Sequence, residues 1–372
     1  MMSPRKRNPE NTGLPKRWKA EHGAYFYQVP KGQEAAWDGK KKFRLGSALH
    51  EAYKVWAERL GSQIDVRKIG DLLDRYLLEV TPAKAPRTQL DEPGYVVQLK
   101  IPFGHMRLQD IEPQHIYQYF DKRKDRTKDK QGKLKKDRKA KTQARQELKL
   151  LSHAFTKAVE WGYIKAHPFK KEVRLDKERG QKSRDRYIED WEIAECLTLQ
   201  SRRKRGSVKM IQAYIRLKRA TGLRMSDMLL LKQADAKEDG IHVKASKTRN
   251  STGTKQIFAW VDENGVDTGR RAPWDACLAA RPLDIAPWLF CTDEGECYVE
   301  KNGRTTNFNS VWKRFMDRVL KETRVTERFA ERDIRAKVGS DAETLEKARQ
   351  ILGNATIRIT QKHYRRKPDI VR

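Results

Sequence analysis

The hydrophobic positions near the start of the chain follow two patterns in turn. Segments 23–29 and 41–45 are rich in aromatic and β-branched residues, which is typical of strands. Segment 48–60 instead has apolar residues at the three- and four-residue spacing of a helix. The sequence therefore predicts a small module of strands followed by a helix over residues 1–63.

From residue 64 to residue 175 the apolar positions recur at helical spacing. They form three stripes, at 69–80, 116–120 and 148–159. Pro82 follows the first stripe, as expected for a helix that ends there. We expect a helical domain whose core these stripes fill.

Residues 176–186 contain no apolar side chain, which is typical of a linker between domains. Beyond the linker, helical stripes alternate with two strand-like segments, 240–246 and 255–261, which we expect to pair across a short turn. The sequence therefore predicts a multidomain α+β fold that is mainly α. Its predicted parts are the module at 1–63, a helical domain at 64–175, the linker, and a mixed α/β domain at 187–372.

Two helices are predicted to meet near residue 224. A helix with apolar positions from 208 to 217 is expected to end at Gly222 in a left-handed cap. Ser226 is expected to begin the next helix as its N-cap. Arg224 then lies at the junction between the two helices.

Three further helices are predicted near the C-terminus. If segment 331–339 is helical, Arg332 and Arg335 lie one turn apart on a shared face. Ser340 and Glu343 predict a capping box at the start of the second helix.

Gly353 is expected to end that second helix. Either Asn354 or Thr356 then caps the third helix, which presents Tyr364.

The composition is strongly basic. The chain has 372 residues, with 81 Lys and Arg against 50 Asp and Glu, and a formal net charge of +31. Such a balance is typical of a protein that binds a polyanion.

Segment 121–145 alone holds 13 Lys or Arg and 4 Asp, so it is either a solvated face or, as we expect, a DNA contact. The module at 1–63 either lays its sheet against DNA or is a packing appendage.

Several classes of protein are excluded by what the sequence lacks. No stretch of about 18 apolar residues could span a bilayer, and the first residues have no apolar signal core. The four cysteines lack Cys-x-x-Cys spacing, and the eight histidines form no His-Glu-x-x-His element. We therefore expect a soluble intracellular protein with reduced thiols that works without a metal or another cofactor. The cysteines are Cys196, Cys277, Cys291 and Cys297.

Tyr364 follows several cations in sequence order. A phenol can attack a phosphodiester if cations neutralise the charge that develops on the phosphate, and arginines do this best. Arg224 and Arg335 are two such cations, and Lys247 lies on the turn between the predicted strands. Each residue alone is more often a surface or packing residue, so only the ordered set indicates catalysis.

The ordered set resembles the tyrosine recombinases of the phage integrase type over nearly the whole chain. The matching features are the run Thr-Gly-Leu-Arg that ends at Arg224, a lysine on a β-hairpin, an arginine before a Leu-Gly step, and a tyrosine near the C-terminus. The resemblance implies that the catalytic residues are Arg224, Lys247, Arg335 and Tyr364.

Two positions depart from that family. Arg332 stands where the family has the histidine of His-x-x-Arg, and Asn354 stands where it has the histidine after Leu-Gly. Arginine keeps its proton, so Arg332 cannot be a general base, although it can bind a phosphate oxygen. Asn354 can donate a hydrogen bond to a non-bridging oxygen. We include both residues in the predicted site.

The resemblance implies a site-specific DNA recombinase, an integrase of a phage or mobile element that cleaves and rejoins double-stranded DNA through a 3′-phosphotyrosyl intermediate. It implies an arm-site module, a core-binding domain and a catalytic domain. It also implies a homotetramer on DNA in the cytoplasm of a bacterial host, at the nucleoid, and leaves open an accessory protein that bends DNA. The alternatives are a type IB topoisomerase and a catalytically inactive DNA-binding regulator of the same fold.

Overall fold

The computed structural model describes most of the chain, and the described residues fall into two compact units that divide between Lys182 and Ser183. This division lies within the segment predicted to be a linker. The two units are considered separately below. The described residues are 11, 13–60, 66–124, 138–174, 185–202, 205–245 and 255–367.

The first unit begins with a three-stranded antiparallel sheet and a helix. The strands are β1 (Trp18–Glu21), β2 (Ala24–Gln28) and β3 (Lys42–Gly46), in that spatial order, and α1 is Leu49–Leu60. The two predicted strands and the helix are confirmed. Strand β1 was not predicted, because its four residues Trp-Lys-Ala-Glu are too few and too polar to show a pattern.

Aromatic rings fill the space between this sheet and α1. Trp37 is only 1% exposed and lies with its ring centroid 4.6 Å from that of Tyr27 and 5.3 Å from that of Phe43. Trp18 and Trp56 meet edge to face at 5.4 Å. These rings belong to the same hydrophobic cluster as the helices that follow, so the module shares one core with the rest of the first unit.

Four helices complete the first unit, and the three predicted stripes lie on α2, α4 and α5. Helix α3 was not predicted, because Pro93 and Pro102 lie inside it and interrupt the expected pattern. Pro86 begins α3, where a proline loses no hydrogen bond. Most of the basic segment 121–145 lies outside the described residues. The helices are α2 (Ile69–Glu79), α3 (Pro86–Phe103), α4 (Pro113–Lys124) and α5 (Arg138–Glu160).

The second unit is mainly helical and has one antiparallel strand pair. Its elements are α6 (Asp190–Thr198), α7 (Ser207–Thr221), α8 (Met225–Leu229), β4 (Gly240–Lys244), β5 (Lys255–Ala259), α9 (Arg271–Ala279), α10 (Thr306–Glu322), α11 (Glu331–Asp341), α12 (Leu345–Leu352) and α13 (Ile357–Tyr364). The predicted strand pair is confirmed, and the mainly helical fold class is confirmed with it. Among the described helices, none combines the length and the apolar content that a membrane crossing requires.

Helix α7 is the centre of the second unit. Tyr214 is completely buried on it, and its ring lies 4.9 Å from Phe308 of α10 and 5.2 Å from Phe290. Nine of the fifteen residues of α7 are buried, and they include Lys218 and Thr221 near its C-terminal end.

Two predicted caps differ from the structure. The N-cap of α8 is Arg224, in an extended conformation, and Ser226 lies inside the helix. The capping box of Ser340 with Glu343 is wrong, because Ser340 belongs to the last turn of α11 and the hydroxyl of Thr344 caps α12 instead. The other predicted helix ends are confirmed, since Gly222 and Gly353 adopt φ of 62° and 56° and Thr356 caps α13.

Trp37→Ala tests the aromatic core of the first unit. We expect a loss of about 3–5 kcal/mol in unfolding free energy, the usual cost of removing a large buried aromatic side chain. Trp191→Ala is the matched control, because Trp191 is 46% exposed and its loss should change stability by less than about 0.5 kcal/mol. Denaturant unfolding followed by circular dichroism measures both, and equal losses would contradict the assigned core.

Candidate active site

Arg335 lies where two helix ends meet. Its Nη1 donates to the carbonyl oxygen of Gly222 at 2.6 Å, and its Nη2 donates to the carbonyl oxygen of Leu352. Gly222 is the residue at which α7 ends, and Leu352 is the last residue of α12. The last carbonyl groups of a helix have no partner within it and lie at the negative end of its dipole. A buried guanidinium is a suitable donor for both.

The guanidinium of Arg335 also faces Tyr364. Its central carbon lies 5.1 Å from the centroid of the tyrosine ring, although Arg335 itself is only 4% exposed. Burial lowers the pKa of Arg335, and the neighbouring Tyr364 opposes that shift while the positive charge of Arg224 adds to it. The Nε of Arg335 is buried without a hydrogen-bond partner among the described residues. The site thus holds a concentrated positive charge beside a phenol.

Arg224 is the second cation of the site. It is the N-cap of α8, and its Nη1 lies 3.8 Å from the buried carboxylate of Asp227. Its side chain keeps 22% of its surface exposed, so it can contact a ligand from solution. Because Arg224 and Arg335 repel each other, an anion that bound between them would relieve the repulsion.

Asn354 is a buried part of the site and not a free donor. Its side-chain oxygen accepts from Arg335 at 3.3 Å, and its side-chain nitrogen donates to the hydroxyl of Thr360 at 3.1 Å. Asn354 is 5% exposed. The amide therefore links Arg335 to α13, whereas the sequence predicted that it would face a phosphate.

Tyr364 is the last residue of α13 and is half-buried. Its carbonyl oxygen accepts a hydrogen bond of 2.7 Å from the hydroxyl of Ser340. Gly339 allows this close approach, since a Cβ there would come within 2.9 Å of the Cβ of Tyr364. Sequence reasoning missed both α11 residues, because Ser340 was interpreted as a cap and Gly339 matches no cap position.

Arg332 is placed differently from Arg335. Both residues lie on α11, as predicted, but Arg332 is exposed and Arg335 is buried. Lys247 lies outside the described residues, together with the rest of the turn between β4 and β5.

Strand β5 connects that turn to the site. The side-chain amide of Gln256 donates to the carbonyl oxygen of Gln350 at 2.7 Å, near the end of α12. A Cβ at Gly353 would lie 2.6 Å from the Gln256 side-chain oxygen. The strand that leaves the predicted lysine turn is therefore fixed against the Leu-Gly-Asn step, and Gln256 is a further site residue that the sequence did not indicate.

A buried ion pair joins α7, which ends just before Arg224, to α11, which bears Arg335. Lys218 of α7 is 0% exposed and contacts the carboxylate of Glu331 at the start of α11. The hydroxyl of Tyr214 donates to the same carboxylate. Burial lowers the pKa of Lys218, and Glu331 opposes that shift. This pair ties α7 to α11 one turn before Gly222 and one turn before Arg335.

The fold has known structural relatives. The chain is similar to lambda integrase in a tetramer bound to a Holliday junction, with 16% sequence identity, 99% of each chain covered and a TM-score of 0.58. It is also similar to a lambda integrase fragment in a dimer bound to a COC′ core site, at 16% identity over 81% of this chain and 98% of that one, with a TM-score of 0.59.

A third similar structure is the Tn1549 transposon integrase in complex with circular intermediate DNA. Its sequence identity is 14%, the match covers 80% of this chain and 95% of that one, and the TM-score is 0.58. No family model and no curated protein sequence matches the chain. At these identities the similarity establishes the fold, and the predicted resemblance to tyrosine recombinases is confirmed at that level.

No metal centre is evident in the part of the chain that the structure describes, where no three His, Cys, Asp or Glu side chains are grouped to hold an ion.

Lys218→Met should destabilise the protein by about 3–5 kcal/mol, because Glu331 would keep an uncompensated buried charge. Glu331→Gln should have a similar effect through Lys218. The double variant Lys218→Met/Glu331→Gln removes both charges and leaves Tyr214 an acceptor, so it should recover much of the loss. Denaturant unfolding measures the unfolding free energy of all three variants. If the loss in the double variant equals the sum of the losses in the two single variants, the pairing is contradicted.

Proposed function

We propose that the protein is a site-specific DNA recombinase, an integrase of a phage or another mobile element. The observation that best supports this proposal is the position of the Arg335 guanidinium, 5.1 Å from the centroid of the Tyr364 ring, with Arg224 close enough to lower the pKa of Arg335. A phenol beside two arginines is suited to attack on a phosphodiester.

The proposed reaction conserves one phosphoester bond at each step. The phenol of Tyr364 gives up its proton to water as its oxygen attacks the scissile phosphate and forms a 3′-phosphotyrosyl bond, while the bond to the 5′ oxygen breaks and its electron pair leaves on that oxygen. Lys247 supplies the proton that makes a 5′-hydroxyl. A 5′-hydroxyl of the partner strand then attacks the phosphotyrosine while its proton returns to Lys247. The bond from phosphorus to the tyrosine oxygen breaks, which reseals the DNA, and the released phenolate takes a proton from water. No nucleotide cofactor is needed.

The two arginines have distinct tasks in this proposal. Arg224 contacts a non-bridging oxygen of the phosphate from the exposed side of the site, and Arg335 neutralises charge on the phosphorane-like transition state and on the phenolate. Asn354 holds Arg335 in place through its side-chain oxygen. Arg332, exposed and permanently charged, adds a phosphate contact and cannot take the proton of the phenol.

Double-stranded DNA is the proposed partner. The net charge of +31 supports it, and so do the DNA complexes in which the similar integrases were solved. In this assignment residues 1–63 are an arm-site module, 64–175 bind the core site and 187–372 catalyse. A homotetramer would act on two duplexes at the nucleoid of a bacterial host, with a DNA-bending protein as a further candidate partner.

A catalytically inactive regulator is the second candidate. The exposed Arg332 at the position of a family histidine favours it, since an arginine keeps its proton and cannot act as a general base. A type IB topoisomerase shares the chemistry, but the N-terminal module is better suited to a recombinase that binds an additional DNA site. A nicked suicide substrate separates the enzymes from the regulator, because only an active nucleophile gives a covalent protein–DNA adduct.

Tyr364→Phe should abolish the covalent adduct with the suicide substrate and leave DNA affinity nearly unchanged, because it removes the nucleophile and little else. Arg224→Ala and Arg335→Ala should each slow adduct formation by about 100-fold or more, the usual scale for the loss of a charge-stabilising donor. Gel analysis of the adduct and DNA binding by anisotropy measure these effects. An adduct in Tyr364→Phe would assign the nucleophile elsewhere.

Arg332→Ala should slow adduct formation if Arg332 contacts the phosphate. Arg332→His should keep much of the activity and add a pH dependence near about 6.5, where a neutral imidazole gains its charge. The wild-type protein should lack that inflection. Full activity in Arg332→Ala would show that the residue is an ordinary surface arginine.

A further inference from the structure

The segment after Tyr364 is attached to α11 of the same chain. The backbone nitrogen of Arg366 donates to the hydroxyl oxygen of Ser340 at 2.7 Å, and that hydroxyl donates to the carbonyl oxygen of Tyr364 at 2.7 Å. Ser340 is 3% exposed. The buried hydroxyl of Ser340 thus binds the backbone of Tyr364, where α13 ends, and the backbone of Arg366 just after it.

The side chain of Arg366 makes the second attachment. Its Nη1 lies 2.8 Å from the Oδ1 of Asp333 and 3.0 Å from the carbonyl oxygen of Arg186. The side chain of Arg366 is 11% exposed, and that of Asp333 is 0% exposed. Breaking such a largely buried ion pair is costly, because the charge of Asp333 would be left buried without its partner.

Asp333 also determines how α11 begins. Its Oδ2 accepts from the backbone nitrogen of Ala330 at 2.8 Å, so one carboxylate both caps the helix and binds Arg366. Arg335 follows Asp333 by two residues on the same helix. The ion pair therefore attaches the chain just beyond Tyr364 to α11, the helix that also bears Arg335.

We propose that Arg366 is a positioning residue for Tyr364: its ion pair with Asp333, together with the Ser340 hydroxyl, fixes the end of α13 on α11 and holds the tyrosine ring against Arg335. The proposal rests on the recombinase function proposed above. In this proposal the residues that follow Tyr364 help the Tyr364 of the same chain to cleave DNA.

Arg366 differs in this respect from its neighbour Arg365. Arg365 is exposed, and its Nη1 donates a hydrogen bond of 3.2 Å to the carbonyl oxygen of Ala342. The two residues have the same charge and are adjacent in the chain. A general effect of positive charge on DNA binding would appear in both, whereas positioning would appear only in Arg366.

The test compares Arg366→Ala with Arg365→Ala on the nicked suicide substrate at saturating DNA. Arg366→Ala should slow adduct formation by about 10- to 100-fold, because a displacement of about 1 Å in a reacting group can cost that much. Its DNA affinity should change less than about twofold. Arg365→Ala should form adduct at the wild-type rate.

Two further variants separate positioning from a general loss of structure. Arg366→Lys keeps a charge for Asp333 and should recover part of the rate lost in Arg366→Ala, at unchanged affinity. Ser340→Ala removes both hydrogen bonds at the Tyr364 step without exposing a buried charge, and should also slow adduct formation at unchanged affinity. If Arg366→Ala does not fold, these two variants still decide the question.

Three outcomes would overturn the inference. Arg366→Ala and Arg365→Ala could form adduct equally fast at saturation, or Arg366→Ala could lose only DNA affinity with a shallower salt dependence, as expected for a phosphate contact. If Arg366→Ala does not fold, wild-type rates of adduct formation in both Arg366→Lys and Ser340→Ala would also exclude the positioning role of Arg366. Failure of the underlying function is distinguishable, because the wild-type protein would then form no adduct at Tyr364.

Discussion

The second unit depends on the burial of four charged side chains along one helix, α11. Burying a charge is costly unless it is paired, so each of these side chains has to meet its own partner. Their partners lie on α7, on the chain after Tyr364, on two helix ends, and near the start of the unit. The four charges together restrict where α11 can lie. They are Glu331, Asp333, Arg335 and Lys337.

The site follows from this restriction and from two glycines. Gly222 and Gly353 end α7 and α12 in the left-handed conformation, and the carbonyl oxygens of Gly222 and Leu352 then converge on Arg335. A side chain at Gly222 would also come within 3.0 Å of Leu352. Gly222 and Gly353 are far apart in sequence, but both place a helix end so that its carbonyl oxygen binds the Arg335 guanidinium beside Tyr364.

The helices and strands that the sequence predicted each have a face turned to the core. The apolar stripes of α2, α5 and α7 indicated their helices, because a buried stripe needs helical spacing. Strand β1 and helix α3 were not predicted, for two different reasons. The four residues of β1 are too few to show a period, and in α3 the interior Pro93 is tolerated only because tertiary packing outweighs its intrinsic cost.

By itself, the sequence determined which residues can do the chemistry and the order of the helices that present them, because caps and apolar spacing are local properties. Only the tertiary structure decided which of these residues are buried. Arg332 and Arg335 are equivalent in helical spacing, yet only Arg335 meets two helix ends and becomes buried. Asn354 and Ser340 likewise took their roles from partners distant in sequence, and a contact between distant segments leaves no periodic signal in the chain.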